Sequence, residues 1–203
     1  MNRNVIIIGA SGHGNVIADI VRANNDCVLG FLDDDPSKPT LGTVADYAKY
    51  SDAEFVIGIG DAQVRAKLSA LPLKWYTAIH PSAIISPSAQ IGEGTVIMPN
   101  AIVNANSVVG KQCILNSGAI VEHDNTIGDF THISVGVRLG GTVRVGNFTW
   151  VGIGAIVRNN VSITNDCVIG AGAVVVKNIS EAGIYVGVPA KKDKKIYESL
   201  DCV

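Results

Sequence analysis

From Ile79 onward the chain places an aliphatic residue at every sixth position. Ile79, Ile85, Ile91, Ile97, Val103, Val109, Leu115, Val121, Ile127 and Ile133 lead without a slip into Leu139, Val145, Val151, Val157, Ile163, Ile169 and Val175. A small side chain follows four residues after each of the first seven: Ala83, Ala89, Thr95, Ala101, Ser107, Cys113 and Ala119. Gly92, Gly110, Gly128 and Gly146 come directly after an aliphatic position and recur every 18 residues. An α-helix needs apolar residues about every 3.6 positions and a half-buried strand needs alternation, so neither fits alone. Period six fits a chain that turns a corner every six residues, with three faces to a coil and one aliphatic side chain per face inside. The pattern predicts a parallel β-helix of roughly five to six coils, a prism about 25–30 Å tall at about 4.8 Å per coil.

Residues 1–78 carry a different pattern. Val5–Ile8 reads as a buried strand, Gly9-Ala10-Ser11-Gly12-His13-Gly14 as a tight loop, and Asn15–Ala23 as a helix striped by Val16, Ile17, Ile20 and Val21. Cys27–Leu32 reads as a second strand ending in Asp33-Asp34-Asp35-Pro36; Phe55–Ile59 reads as a third, followed by Gly60-Asp61 and a helix near Gln63–Leu71. The alternation predicts a small parallel α/β domain over 1–78, the β-helix over 79–180 and a closing segment over 181–203. A strand, glycine loop and helix N-terminus form an anion site, and the acidic residues after the second strand fall near a ribose or base edge. The glycine order is GxxGxG, with Ser11 in the place of the second glycine of a dinucleotide fingerprint, which favours a smaller nucleotide.

Composition narrows the classes. With 17% charged residues and a formal net charge of −2, the chain lacks the basic surface that nucleic-acid binding needs. Aromatics are only 5% and glycines number 22, which suits repetitive backbone packing. Cys27, Cys113, Cys167 and Cys202 form no CxxC pair, so a disulfide framework or zinc site is not expected and a reducing cytoplasm fits. The run Val5–Ile8 is too short for a signal sequence or a membrane span.

The four histidines are His13, His80, His123 and His132. His123 stands between Glu122 and Asp124, outside the prism because Val121 and Asn125 occupy its interior. A neighbouring carboxylate orients an imidazole and raises its basicity; adjacency alone leaves Glu122 and Asp124 both open as partner. One coil on from His123 lies Gly141, stacked on the same edge, where a backbone N–H can approach a thioester. His132 is half a coil from His123, hence on the opposite side of its own prism. If both serve one site, they come from neighbouring chains, and the protein is an oligomer. No third suitable histidine completes a zinc site, so metal chemistry is not expected.

The glycine loop Gly9–Gly14, the unbroken hexapeptide prism, Glu122-His123-Asp124 and Val186-Gly187-Val188-Pro189-Ala190-Lys191 together resemble the bacterial nucleotide-sugar N-acetyltransferases, with sialic acid O-acetyltransferase-like proteins as relatives. The resemblance covers nearly the whole chain. It implies a left-handed β-helix, a cytoplasmic homotrimer with sites between subunits, and transfer from acetyl-CoA to the 4-amine of a UDP-linked amino-dideoxy sugar in glycan biosynthesis. It further implies His123 as general base with Asp124 (often Glu in the family) as its partner. His132 and Gly141 would contact acetyl-CoA, with Ile153 and Ala171 (often Gly) lining the pantetheine groove. Ser11, Gly12 and His13 would hold the diphosphate, Asp33 and Asp34 would read the uridine, and Gly60 and Gln63 would complete that pocket. The competing functions are O-acetylation of a sialic acid or other sugar hydroxyl, and a β-helix scaffold without catalysis.

Overall fold

The structure is a computed structural model that describes residues 2–193; the end of the closing segment, with Lys194, Lys195 and Cys202, lies outside the described residues. β1 (Asn4–Ile8), α1 (Gly12–Ala23), β2 (Cys27–Leu32), a 3-10 helix (Val44–Tyr50), β3 (Glu54–Ile57) and α2 (Ala62–Ser69) form the N-terminal region. Its parallel sheet has the order β2-β1-β3. The strand order reverses between β1 and β3, so the loops that follow these two strands face a shared crevice.

Several boundaries differ from the sequence reading. β3 ends at Ile57, not Ile59, and α2 spans Ala62–Ser69 where Gln63–Leu71 was expected. Asp61 sets the start of α2, its carboxylate accepting from the Val64 N–H at 2.8 Å. α1 begins three residues earlier than expected, at Gly12, with Ser11 in extended conformation before it. Gly12 and Gly14 therefore lie in the first turn of a helix, although both count as loop formers in a propensity reading. Packing explains Gly14: a Cβ there would meet the Gly9 carbonyl oxygen at 2.0 Å, so only glycine lets α1 rest on the end of β1.

The prism is a left-handed parallel β-helix of about six turns. Its first face stacks strands at Ala78, Val96, Ile114, His132, Trp150, Cys167 and Gly183, with the short antiparallel strand Lys191–Lys192 closing the end. The second face starts at Ile84 and has six strands; the third starts at Gln90 and has five. Registers step by one 18-residue coil, as in Ile120 against Arg138 and Val121 against Leu139, until the last parallel pairing, where Cys167 meets Gly183. The aliphatic row is buried from Ile97 to Val175, while Ile79, Ile85 and Ile91 at the first coil are partly buried. Polar members of the second interior row are satisfied by the next coil: Thr95 donates to the Gly110 carbonyl at 2.8 Å and Ser107 to that of Glu122 at 2.7 Å.

Each corner turns through one left-handed residue. Every sixth residue from Gly94 to Gly172 has φ between 53° and 68°. Glycine, Asn and Asp adopt this region readily; Phe130 and Phe148, at 59° and 55°, do not. The α/β region sits on the first face, where α1 and β1 bury Ile17, Ile20, Val5 and Ile7 against Ala78, Val96 and Met98.

Candidate functional site

The corner between the second and third faces carries His123, Asp124 and Gly141. Asp124 is the left-handed residue of its corner (φ 57°), a conformation its short polar side chain tolerates. Its Oδ2 lies 2.7 Å from His123 Nδ1, and its Oδ1 accepts from Asn106 Nδ2 at 3.2 Å. The bond to His123, then that from Asn106, holds the Asp124 carboxyl below its ordinary value. An ionised carboxylate only accepts, so Nδ1 carries a proton, and in the neutral ring that tautomer leaves the lone pair on Nε2. Of the two flanking acids, Asp124 bonds the ring, while Glu122 Oε2 reaches only the His123 N–H at 3.4 Å.

Gly141 lies one coil on, and a Cβ at that position would stand 2.6 Å from His123 Nε2. The ring therefore rests against bare backbone. Both corners are braced from inside by Asn125, which is 1% exposed. Its Nδ2 donates to the Glu122 and Gly140 carbonyls, and its Oδ1 accepts from Val143 N–H at 2.9 Å. Sequence reading placed Asn125 in the interior without giving it this task; a full amide in a row of small or aliphatic residues was the available signal.

His132 lies on the first face, away from the His123 corner. Its Nε2 is 3.2 Å from Asn116 Nδ2 and its ring stacks on Trp150 at 5.9 Å between centroids. Phe130 and Phe148 stack beside them at 5.0 Å. These rings, with Gly60, Asp61, Ala62 and Gln63 opposite, line a groove of about 460 Å³. Sequence reading missed the aromatic wall, although two bulky residues at the corner position every 18 residues mark it. Ile153 and Ala171 stack on the corner between the first and second faces, joined by the Gly172 N–H to the Ile153 carbonyl at 2.8 Å.

The loops after β1 and β3 are joined at Ser11, whose Oγ is 3.5 Å from the Gly58 carbonyl. Gly12 and Gly60 differ from Gly14, since a Cβ at either would meet nothing within 4 Å. Both are open to free space, and Gly60 lines the aromatic groove. A second cavity of about 320 Å³ is lined by Gly9, Asp33, Asp34, Ile59, Val64 and Lys67, among others. Asp33 accepts from the Ala10 N–H at 2.7 Å and from Lys38 Nζ at 2.8 Å. Its hydrogen bond with Lys38 holds its carboxyl down at about 2 against the cost of burial. Asp34 accepts from the Val44 N–H at 2.9 Å.

The site residues thus fall into three groups on one chain: the crevice and aromatic groove, the His123 corner, and the Ile153 corner. Among the described residues no group of three or more His, Cys, Asp or Glu could hold a metal ion.

Known proteins share this architecture. Residues 4–70 match the family described as PglD N-terminal domain, and residues 88–123 match the bacterial transferase hexapeptide family. PerB from Caulobacter crescentus, solved with CoA and GDP-perosamine, is 35% identical, with a TM-score of 0.91 over 94% of this chain and 97% of that one. The chain belongs to the left-handed β-helix N-acetyltransferases of nucleotide sugars. The acetyltransferase domain of PglB from Neisseria gonorrhoeae, solved with acetyl coenzyme A, is also 35% identical, with a TM-score of 0.89 over 95% of this chain and 100% of that one. UDP-N-acetylbacillosamine N-acetyltransferase of Bacillus subtilis is 39% identical over 109 residues, 46% of this chain, and the match spans 50% of that relative's length.

In this member of the family, two imidazoles are neutral in the folded state. Burial first, then Arg65, lowers His13 to about 4; burial, Arg65 and His13 lower His132 to about 3. Against an ordinary value of 6.5, the unfolded chain binds these protons first as pH falls. Their contribution to stability is therefore present above about 6.5 and is lost progressively toward the folded values. Asp33 adds its own loss only below its ordinary 3.8. The melting temperature is expected to fall between about pH 7 and pH 5, and to fall less in His132→Asn. A melting temperature flat across that window contradicts the burial of both rings.

Proposed function

We propose that the protein transfers an acetyl group from acetyl-CoA to the 4-amine of a nucleotide-linked amino-dideoxy sugar, with UDP as the nucleotide, in the cytoplasm. The observation that carries the reading is the His123 ring, with Nδ1 tied to Asp124 and Nε2 resting over the Gly141 backbone. The amine nitrogen attacks the thioester carbon while His123 Nε2 takes a proton from it. The carbonyl oxygen gains charge beside the Gly141 N–H. The C–S bond then breaks, the thiolate leaves, and the proton passes from His123 to sulfur, giving amide and CoA. No acyl-enzyme is needed, since among the described residues no Ser or Cys side chain hydrogen-bonds the His123 ring.

The division of labour follows the two architectures. Residues 1–78 bind the nucleotide sugar: Ser11, Gly12 and His13 at the diphosphate, Asp33 and Asp34 at the base, and Gly60 and Gln63 completing that pocket. Residues 79–180 hold acetyl-CoA through His132, Gly141, Ile153 and Ala171, and the strands Gly183–Val186 and Lys191–Lys192 of the closing segment cap the prism. The solved relatives, with CoA and GDP-perosamine in one and acetyl-CoA in another, support both substrate classes.

Separation of the three groups on one prism supports a homotrimer with each site between two subunits. His123 and Asp124 have side chains 55% and 47% exposed, too open for base catalysis until a second chain covers them. The second face supplies a surface for that chain, since Ile84 and Ile156 point outward at 62% and 43% exposure, with Val135 and Ile153 at its edge.

The test is thiol release from acetyl-CoA with UDP-, dTDP- and GDP-linked 4-amino sugars, and free sialic acid alongside. CoA release is expected with a nucleotide-linked amino sugar. Release with sialic acid only would assign O-acetylation, and silence without acetyl-CoA binding would assign a scaffold.

A further inference from the structure

Arg65 is the largest fully buried side chain among the described residues, at 1% exposure. It projects from α2 into the joint between the α/β region and the prism. Nε donates to the Gln112 carbonyl at 3.0 Å and Nη2 to that of Phe130. Nη1 donates to the carbonyls of Gly60 and, at 3.4 Å, Ile59. No carboxylate forms an ion pair with it among the described residues; four carbonyls satisfy the guanidinium instead.

The four acceptors are not scattered. Gln112 and Phe130 are left-handed corner residues on successive coils, at φ 53° and 59°. Phe130 begins the aromatic wall of the 460 Å³ groove, and His132 follows two residues on. Gly60, which accepts from the same guanidinium, opens the facing wall formed with Asp61, Ala62 and Gln63. One side chain therefore spans both walls, and the fork geometry that reaches carbonyls on two sides is particular to arginine.

We propose that Arg65 is a positioning residue that sets the distance between the nucleotide-sugar wall (Gly60, Gln63) and the acetyl-donor wall (Phe130, His132). This rests on the acetyl-transfer reading of the groove. Each wall has bracing of its own that Arg65 does not touch, the stacked His132 and Trp150 rings on one side and the Asp61–Val64 cap on the other, so each substrate still finds its own contacts when Arg65 is altered. Their mutual alignment is what suffers, and a misplacement of about 1 Å can cost on the order of 100-fold in rate.

The experiment compares wild type with Arg65→Lys and Arg65→Gln. Dissociation constants for CoA and for the accepted nucleotide sugar are measured separately by calorimetry, alongside kcat and the melting temperature. The expected result for Arg65→Lys is a kcat at least about tenfold lower, with both dissociation constants within about threefold of wild type. Wild-type kcat in Arg65→Lys overturns the proposal. So does a fall in kcat matched by equal losses in both affinities, or failure of both variants to fold, since either makes Arg65 a structural residue only. Absence of turnover in wild type overturns the acetyl-transfer reading itself, and is distinguished by that control.

Discussion

His123→Ala is expected to lower kcat by about 10²- to 10⁴-fold, the range lost when a positioned general base is removed. The ring is half exposed, and its side-chain bond in the structure is the one to Asp124, so the fold does not depend on it. The melting temperature and the affinity for CoA should therefore stay near wild type. That split separates a base from a structural imidazole. A protonated amine cannot attack a thioester, so the variant retains only turnover supported by solvent as base. Asp124→Asn should lose less, because Nε2 remains in place while the ring orientation loosens. The measurement is kcat by thiol release with the accepted nucleotide sugar at saturation. Near-normal turnover in His123→Ala would end the mechanism.

How far the site could be read in the sequence depends on what each residue answers to. The aliphatic row is set by burial alone, so Ile97 to Val175 could be counted off at period six and the β-helix followed. Stacking is equally forced: once a coil is 18 residues long, Gly141 must lie over His123, and it does. Choosing Asp124 over Glu122 needed the corner's φ of 57°, which turns the Asp124 carboxylate onto Nδ1. Sequence adjacency holds no such direction. The start of α1 was misplaced because Gly14 answers to a tertiary contact with the Gly9 carbonyl, and helix propensity is blind to that. Arg65 was invisible for a similar reason. Between Val64 and Ala66 it reads as a solvated charge on a helix, and only the joint between the two architectures shows its four carbonyl partners.

Gly141→Ala is expected to cost catalysis about as much as a misaligned base, on the order of 100-fold in kcat, while leaving the fold intact. The new Cβ would stand 2.6 Å from His123 Nε2 and 2.7 Å from Cε1, and both atoms must move. They belong to the free end of an exposed side chain, so the ring can swing away and stability should change by no more than about 0.5 kcal/mol. Swinging removes Nε2 from the Gly141 backbone, where the proposed mechanism puts the thioester. The same substitution at Gly14 makes the contrast. There a Cβ would meet the Gly9 carbonyl oxygen at 2.0 Å, a backbone atom that cannot step aside. Gly14→Ala should destabilise the α/β region by about 1–3 kcal/mol or more, read as a lower urea midpoint. Two identical methyl additions thus separate a glycine kept for packing from one kept for chemistry. A Gly141→Ala protein with wild-type kcat would mean that the imidazole does not work from the position in which Asp124 holds it.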